Sequence, residues 1–139
     1  MAEVQMRLRF NPRRKGLVQV FGPLEAEIMR EVWNQKEATV KQIHRVLSKR
    51  REIAYTTVMT TMSRLAEKGI LERNRQGMAY LYRPVMSKLE FDQWVLRSVL
   101  SGLLETFDTV TVDFLVEFLS KERPEQLSYL REVLEMPAA

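Results

Sequence analysis

The chain has 139 residues, 45% hydrophobic and 29% charged, with a net charge of +4. That length makes one domain, or a small domain with an appendage, and the apolar share excludes wholesale disorder. Zero cysteines and a single histidine, His44, exclude disulfides, thiolate metal sites, cysteine nucleophiles and any histidine pair within one chain. No run of 18 apolar residues is present, so no membrane insertion is expected. The basic N-terminus lacks the apolar stretch of a secretory leader. A cytoplasmic protein without metal or cofactor is therefore expected.

The charge is split along the chain. Residues 1–84 carry 17 Lys and Arg against 8 Asp and Glu, a net of +9, and residues 85–139 carry 5 against 10, a net of −5. A basic front points to a polyanion partner and the acidic remainder to a different task.

Residues 1–21 open with Val4, Met6, Leu8 and Phe10 alternating with polar residues, a strand period. Asn11-Pro12 marks a turn, Arg13-Arg14-Lys15-Gly16 follows, and Leu17–Phe21 reads as extended again. This stretch is expected to be a small hairpin or a basic arm, and it is too short to be stable unless it packs on something else.

Gly22-Pro23 opens a helix, with Glu25 and Glu27 near its N-terminal dipole. Leu24, Ile28, Met29, Val32 and Trp33 share one face. Ala38-Thr39-Val40 fits a short strand or a helix entry, with Thr39 as N-cap. A second helix carries Val40, Ile43, Val46 and Leu47 inward and ends at Ser48-Lys49-Arg50-Arg51. His44 lies beside that apolar face and reads as a packing residue. A third helix runs from about Tyr55 to Lys68, stopped by Gly69. Its inward set is Val58, Met62, Leu65 and Ala66. Its outward set is Thr56, Thr57, Thr60, Thr61 and Arg64. Two β-prone segments, Ile70–Arg73 and Met78–Arg83, flank Asn74–Gly77 as a hairpin closed by Pro84.

Residues 22–84 thus read as a winged helix-turn-helix, and the fold is mainly α with a small β wing. The outward threonines can donate to base edges or phosphates and pack methyls on thymine. Arg64 can reach guanine or phosphate, and Tyr55 can bond a phosphate at the helix start. Arg75 at the wing suits a minor groove or a phosphate, with Arg73 and Gln76 as weaker candidates. Lys41, Arg50 and Arg51 are candidate backbone clamps, as is Lys49.

Residues 85–139 read as helices with a surplus of large apolar side chains. Leu89, Trp94, Leu96, Leu100, Leu103, Leu104 and Phe107 lie on a long first helix, with Val110, Phe114, Leu115, Phe118 and Leu119 on a second. A third begins at Pro124 and carries Leu127, Leu130, Val133 and Leu134. Of these, Trp94, Leu96, Leu100, Leu103, Leu104, Phe107, Phe114, Phe118, Leu130 and Leu134 are assigned to a dimerisation surface. An acid pair on one helix face, Asp113 and Glu117, is the nearest approach to a catalytic site and does not make one.

Gly22–Met29, Val32-Trp33, Ala54–Thr60, Arg64–Gly69 and Tyr80–Pro84 together resemble the penicillinase-repressor family, the β-lactamase and methicillin-resistance repressors and their relatives. The resemblance implies a homodimeric bacterial repressor on palindromic double-stranded operator DNA. Its winged helix would read the DNA and its C-terminal helices would dimerise. It places Tyr55, Thr56, Thr57 and Thr60 at the DNA-reading stretch and Arg75 at the wing. In the best-known members a membrane sensor-protease signal leads to cleavage near an Asn-Phe pair in the dimerisation region; the nearest match here is Thr106-Phe107, which lacks the Asn. Zero cysteines exclude the mode of the copper-responsive branch, which carries a C-terminal cysteine cluster. The rival reading is a winged-helix module that coats DNA without sequence preference or binds a protein.

Overall fold

The computed structural model describes Val4 and residues 6–137. The chain forms two compact units, one through Val95 and one from Leu96 onward.

In the first unit α1 (Pro23–Gln35) begins with Pro23, whose missing N–H costs nothing at a helix start. β1 is a two-residue strand, Ala38–Thr39, and leads directly into α2 (Val40–Ser48). Both expectations for this junction hold, because Thr39 closes the strand and caps the helix. Its hydroxyl accepts the Gln42 amide at 3.2 Å while the Gln42 side chain accepts the Thr39 amide at 2.9 Å, a reciprocal capping box. α3 spans Tyr55–Glu67. β2 (Leu71–Gln76) and β3 (Ala79–Pro84) form the wing, and β1 pairs on the other side of β3 in an antiparallel sheet of order β1-β3-β2. The wing is longer than the sequence suggested, with pairing that continues to Gln76 opposite Ala79. Its turn is just Gly77-Met78, with Gly77 at φ +60°, the first position of a two-residue hairpin turn where glycine is the unstrained choice.

The core gathers the inward faces anticipated from period: Ile28, Met29 and Val32 of α1, Ile43 and Leu47 of α2, and Val58, Met62 and Leu65 of α3, closed by Ile70, Leu71 and Tyr82 of the wing. Helix spacing explains these residues, but two further contributions come from outside 22–84. Met6, Leu17 and Phe21 of the leading segment are buried in the same core, as is Phe91. Leu17–Phe21 is not extended: Gly16–Gln19 is a short 3₁₀ turn, and no strand occurs among the described residues before α1. The physical reason is packing, since the turn brings Phe21 flat against Phe91, with ring centroids 5.1 Å apart and planes at 10°.

α4 spans Lys88–Glu122 and is broken at Asp108, where φ is 40° and ψ −122°. The break falls where the sequence separates one helix ending at Phe107 from another beginning at Thr109. α5 (Pro124–Glu135) starts on a proline and has no buried residue.

Candidate nucleic-acid interface

α3 shows two chemically distinct faces. Val58, Met62 and Leu65 are fully buried, while Thr56, Thr57, Thr60 and Arg64 are exposed. The Thr61 hydroxyl is taken by the helix itself, donating to the Thr57 carbonyl at 2.8 Å. Among the described residues no such bond occupies the side chains of Thr56, Thr57 or Thr60, which leaves their hydroxyls for an outside partner. α3 also begins without a side-chain cap, so its first amides point outward with the positive end of the helix dipole.

Tyr55 is held in place at that helix start. His44 donates from Nε2 to the Ile53 carbonyl at 2.8 Å and meets the Tyr55 ring edge-on at 5.7 Å. The lone histidine is thus a packing residue, as expected, and it fixes the α2–α3 turn and the tyrosine on it. Tyr55 remains 46% exposed, enough for its hydroxyl to meet solvent or a phosphate.

Beside α3 lies a groove of about 500 Å³, bounded by the start of α2 and the wing. It brings Lys41 and Tyr55 together with Met59, Ser63, Arg73 and Tyr80. Arg73, a weaker candidate from sequence, stacks its guanidinium over Tyr80 at 5.1 Å, which presents a cation and a ring together on the groove wall. Met59 and Tyr80 were not among the sequence candidates. The signal available was spacing, since Met59 follows Tyr55 by four residues on a helix.

At the wing tip Arg75 keeps close to the turn, its Nε donating to the Gly77 carbonyl at 3.2 Å, and the residue is otherwise exposed. Met78 beside it is 96% exposed. Arg75→Ala is expected to reduce the log–log salt slope of DNA binding by about 0.9 per subunit for one lost phosphate contact. Titrations at four or more salt concentrations check this, and an unchanged slope would remove the wing tip from the interface.

Two sequence candidates are placed differently from expectation. Arg50 pairs with Glu31 at 2.9 Å and Arg51 with Glu27 at 3.2 Å. Both guanidiniums tie the α2–α3 turn to α1, because Glu27 and Glu31 stand one turn apart on α1's polar face. They position the motif, and both side chains stay partly exposed. Lys41 and Arg64 have no ion pair among the described residues.

In the second unit the apolar surplus is exposed. Leu96, Leu100, Leu103, Leu104, Phe107, Phe114, Phe118 and Leu134 are all more than a third accessible, and Leu130 is half-buried. Leu100, Leu103, Phe107, Phe114 and Phe118 line an open apolar groove of about 420 Å³. Thr106 and Phe107 lie on the last turn before the break at Asp108. Trp94, assigned with this group from sequence, belongs to the first unit. It packs on the core there with its ring 5.7 Å from Phe91. No group of metal-ligating side chains and no helix long and apolar enough to cross a membrane occurs among the described residues.

The chain was compared with known proteins. A transcriptional regulator BlaI from Mycobacterium tuberculosis is 35% identical over 115 residues, covering 81% of each chain. The penicillinase repressor of Bacillus licheniformis is 23% identical over 112 residues, covering 80% of this chain and 86% of that one. A solution structure of the DNA-binding domain of the repressor BlaI aligns with a TM-score of 0.46 at 25% identity, over 49% of this chain and 83% of that one. The penicillinase repressor family model matches residues 21–136, from the glycine-proline entry of α1 through the wing to the end of α5. With a match over that span, and a relative of this identity and coverage, the chain belongs to the penicillinase repressor family.

Proposed function

We propose that this protein is a sequence-specific DNA-binding transcriptional repressor that acts in the cytoplasm as a homodimer on a palindromic operator, without cofactor or catalysis. The observation that carries the reading is the outward face of α3. Thr56, Thr57 and Thr60 hold hydroxyls without an intramolecular bond, on the second helix of a helix-turn-helix whose opposite face is fully buried. Membership of a family whose named relatives are repressors supports it.

In this reading α3 enters the major groove with Thr57 and Thr60 at base edges. Tyr55 and the first amides of α3 hold a phosphate, and Arg64, Lys41 and Arg75 hold others along the backbone. The exposed apolar faces of α4 and α5 cover one another across a two-fold axis. Two copies of α3 then lie in successive major grooves about 34 Å apart. Repression is occupancy, because a promoter overlapped by the dimer is closed to polymerase. Thr106-Phe107 is exposed on α4, next to the break at Asp108 and ahead of the second half of the apolar helices in the chain. Cleavage there by a signal-activated protease would untether the half-sites.

Thr60→Ala tests the reading. It removes one hydroxyl and leaves a good helix former on an exposed face, so stability should hardly change. Operator affinity should fall by about 1–3 kcal/mol while affinity for random duplex stays level. The operator is obtained by selection from a random duplex library, and the two affinities are measured by competition. If operator and random duplex compete equally against the unmodified chain, the protein coats DNA and does not read it.

A further inference from the structure

Residues 4–20 hold five basic side chains and no acid, and they precede the part of the chain that the family model matches. They are not a loose arm. Met6 and Leu17 are buried in the core. The Asn11 amide donates to the Gln19 carbonyl at 2.8 Å and the Arg14 amide to the Asn11 carbonyl at 3.2 Å, while the Asn11 side chain accepts the Arg13 amide at 3.0 Å. The segment is a closed loop pinned to the domain, so the backbone that carries its arginines is already ordered and less of its entropy is lost on binding.

Arg7, Arg9 and Arg14 border a hollow of about 570 Å³ whose other wall is the start of α1 with Lys68. The carboxylate there, Glu25, is paired with Lys68 at 2.8 Å, so the three arginines leave the hollow net positive. None of them has an ion pair among the described residues. A neighbouring hollow of about 230 Å³ shares Gly22, Pro23, Glu25 and Lys68 with the first and is walled by Thr61 and Arg64 of α3. The basic surface therefore continues from the recognition helix to the leading segment.

We propose that this leading segment is a second backbone clamp: Arg7, Arg9 and Arg14 bind phosphates of the same DNA duplex, beyond the bases that α3 reads, and lengthen the footprint of each half-site. This rests on the assignment of α3 as the reading helix. Arginine forks suit phosphate oxygens, and a shallow surface continuous with α3 suits a rod that already lies on α3. Contacts of this kind add affinity without sequence preference.

The test uses the full chain and the selected operator in two forms. One is trimmed to the bases that selection fixes, and the other carries about ten further base pairs, roughly one helical turn, on each side. The unmodified protein should bind the flanked duplex about 10-fold more tightly, with a steeper salt dependence. The variant carrying Arg7→Ala, Arg9→Ala and Arg14→Ala should lose that gain, with a slope smaller by about 2.7 per protomer. Its thermal unfolding should be unchanged, since all three side chains are exposed. Arg→Lys at the same positions should keep most of the slope. Equal flank gains and equal slopes in the alanine variant and the unmodified protein would overturn the proposal. So would binding of inorganic phosphate that the alanine variant loses while its DNA slopes stay the same, which would make the hollow a small-anion site. Thr60→Ala separates the two assignments: if it leaves specificity intact while the arginine variant loses the flank gain, the α3 reading fails, and the arginines hold phosphates beside a different reading element.

Discussion

A chain cut after Val95 is expected to stay folded, to sediment as a monomer, and to bind an intact operator about 100- to 10,000-fold more weakly than the full chain. Every buried side chain among the described residues lies at or before Phe91, so the cut leaves the core of the first unit whole. What it removes is the run of exposed Leu, Phe and Val side chains from Leu96 to Met136. A monomer rarely leaves so large an apolar surface in water. Without it the second half-site loses its tether, and its effective concentration falls from millimolar to that of free protein. The position of the cut matters. Ending the chain at Pro84, where the wing closes, would strip Phe91 and Trp94 from the core and confound loss of dimer with loss of fold. Sedimentation and operator titration of both chains check the result. A full-length chain that stays monomeric at micromolar concentration would overturn the dimer assignment.

Local chemistry made the reading unit legible. The 3.6-residue recurrence of Val58, Met62 and Leu65 and the reciprocal pattern Thr39–Gln42 can both be read without knowing any partner. Gly77 between two β-prone runs is equally plain. The wing's length was less legible, because Asn74, Arg75 and Gln76 are polar on an exposed ribbon and look like loop residues even while paired. The 3₁₀ turn at Gly16–Gln19 depends on Phe21 meeting Phe91, a contact across seventy positions that leaves no local period. The packing of Trp94 on Phe91 was hidden for a related reason. An apolar helix face looks the same in sequence whether its own domain or a second subunit covers it. For Arg50 and Arg51 a signal did exist: Glu27 and Glu31 at i, i+4 on the preceding helix offered carboxylates to a following basic turn.

The charge split also takes on structural meaning. Four acids of the first unit, Glu25, Glu27, Glu31 and Glu37, are each paired with a basic residue, which offsets their charge locally. These pairs hold α1 against the α2–α3 turn, against the end of α3, and hold the strand entry against β3. They are partly exposed, so each contributes about 0–1 kcal/mol, and their more important effect is local neutralisation. Among the described residues of the first unit, the cations outside these pairs include those of the leading segment, Lys41, Lys49, Arg64, Arg73 and Arg75.

Phe91→Ala is expected to cost about 3–5 kcal/mol of stability, a large part of the roughly 5–15 kcal/mol that holds a domain folded. Phe91 is 1% exposed and touches three rings, Phe21 at 5.1 Å, Trp33 at 5.2 Å and Trp94 at 5.7 Å. Those rings come from the leading segment, α1 and α4, so one truncation loosens three elements at once. The site has little freedom to collapse into the space. Trp33 is anchored by its indole N–H to the Met86 carbonyl at 3.0 Å, and α4 is fixed at its start by the Ser87 hydroxyl accepting the Glu90 amide at 3.1 Å. A cavity between anchored neighbours carries the full cavity penalty. Phe91→Leu, which fills much of the volume, should cost less than half as much. The change should also reach DNA binding, because Phe21 packs on Phe91 and holds the C-terminal end of the leading segment. At a temperature where the variant is still folded, the affinity gained from flanking base pairs should fall while the operator-to-random ratio, which the proposed function assigns to α3, stays. Urea unfolding of the two variants beside the unmodified chain measures the first effect. A loss below about 1 kcal/mol for Phe91→Ala would show that the aromatic cluster lies outside the cooperative core.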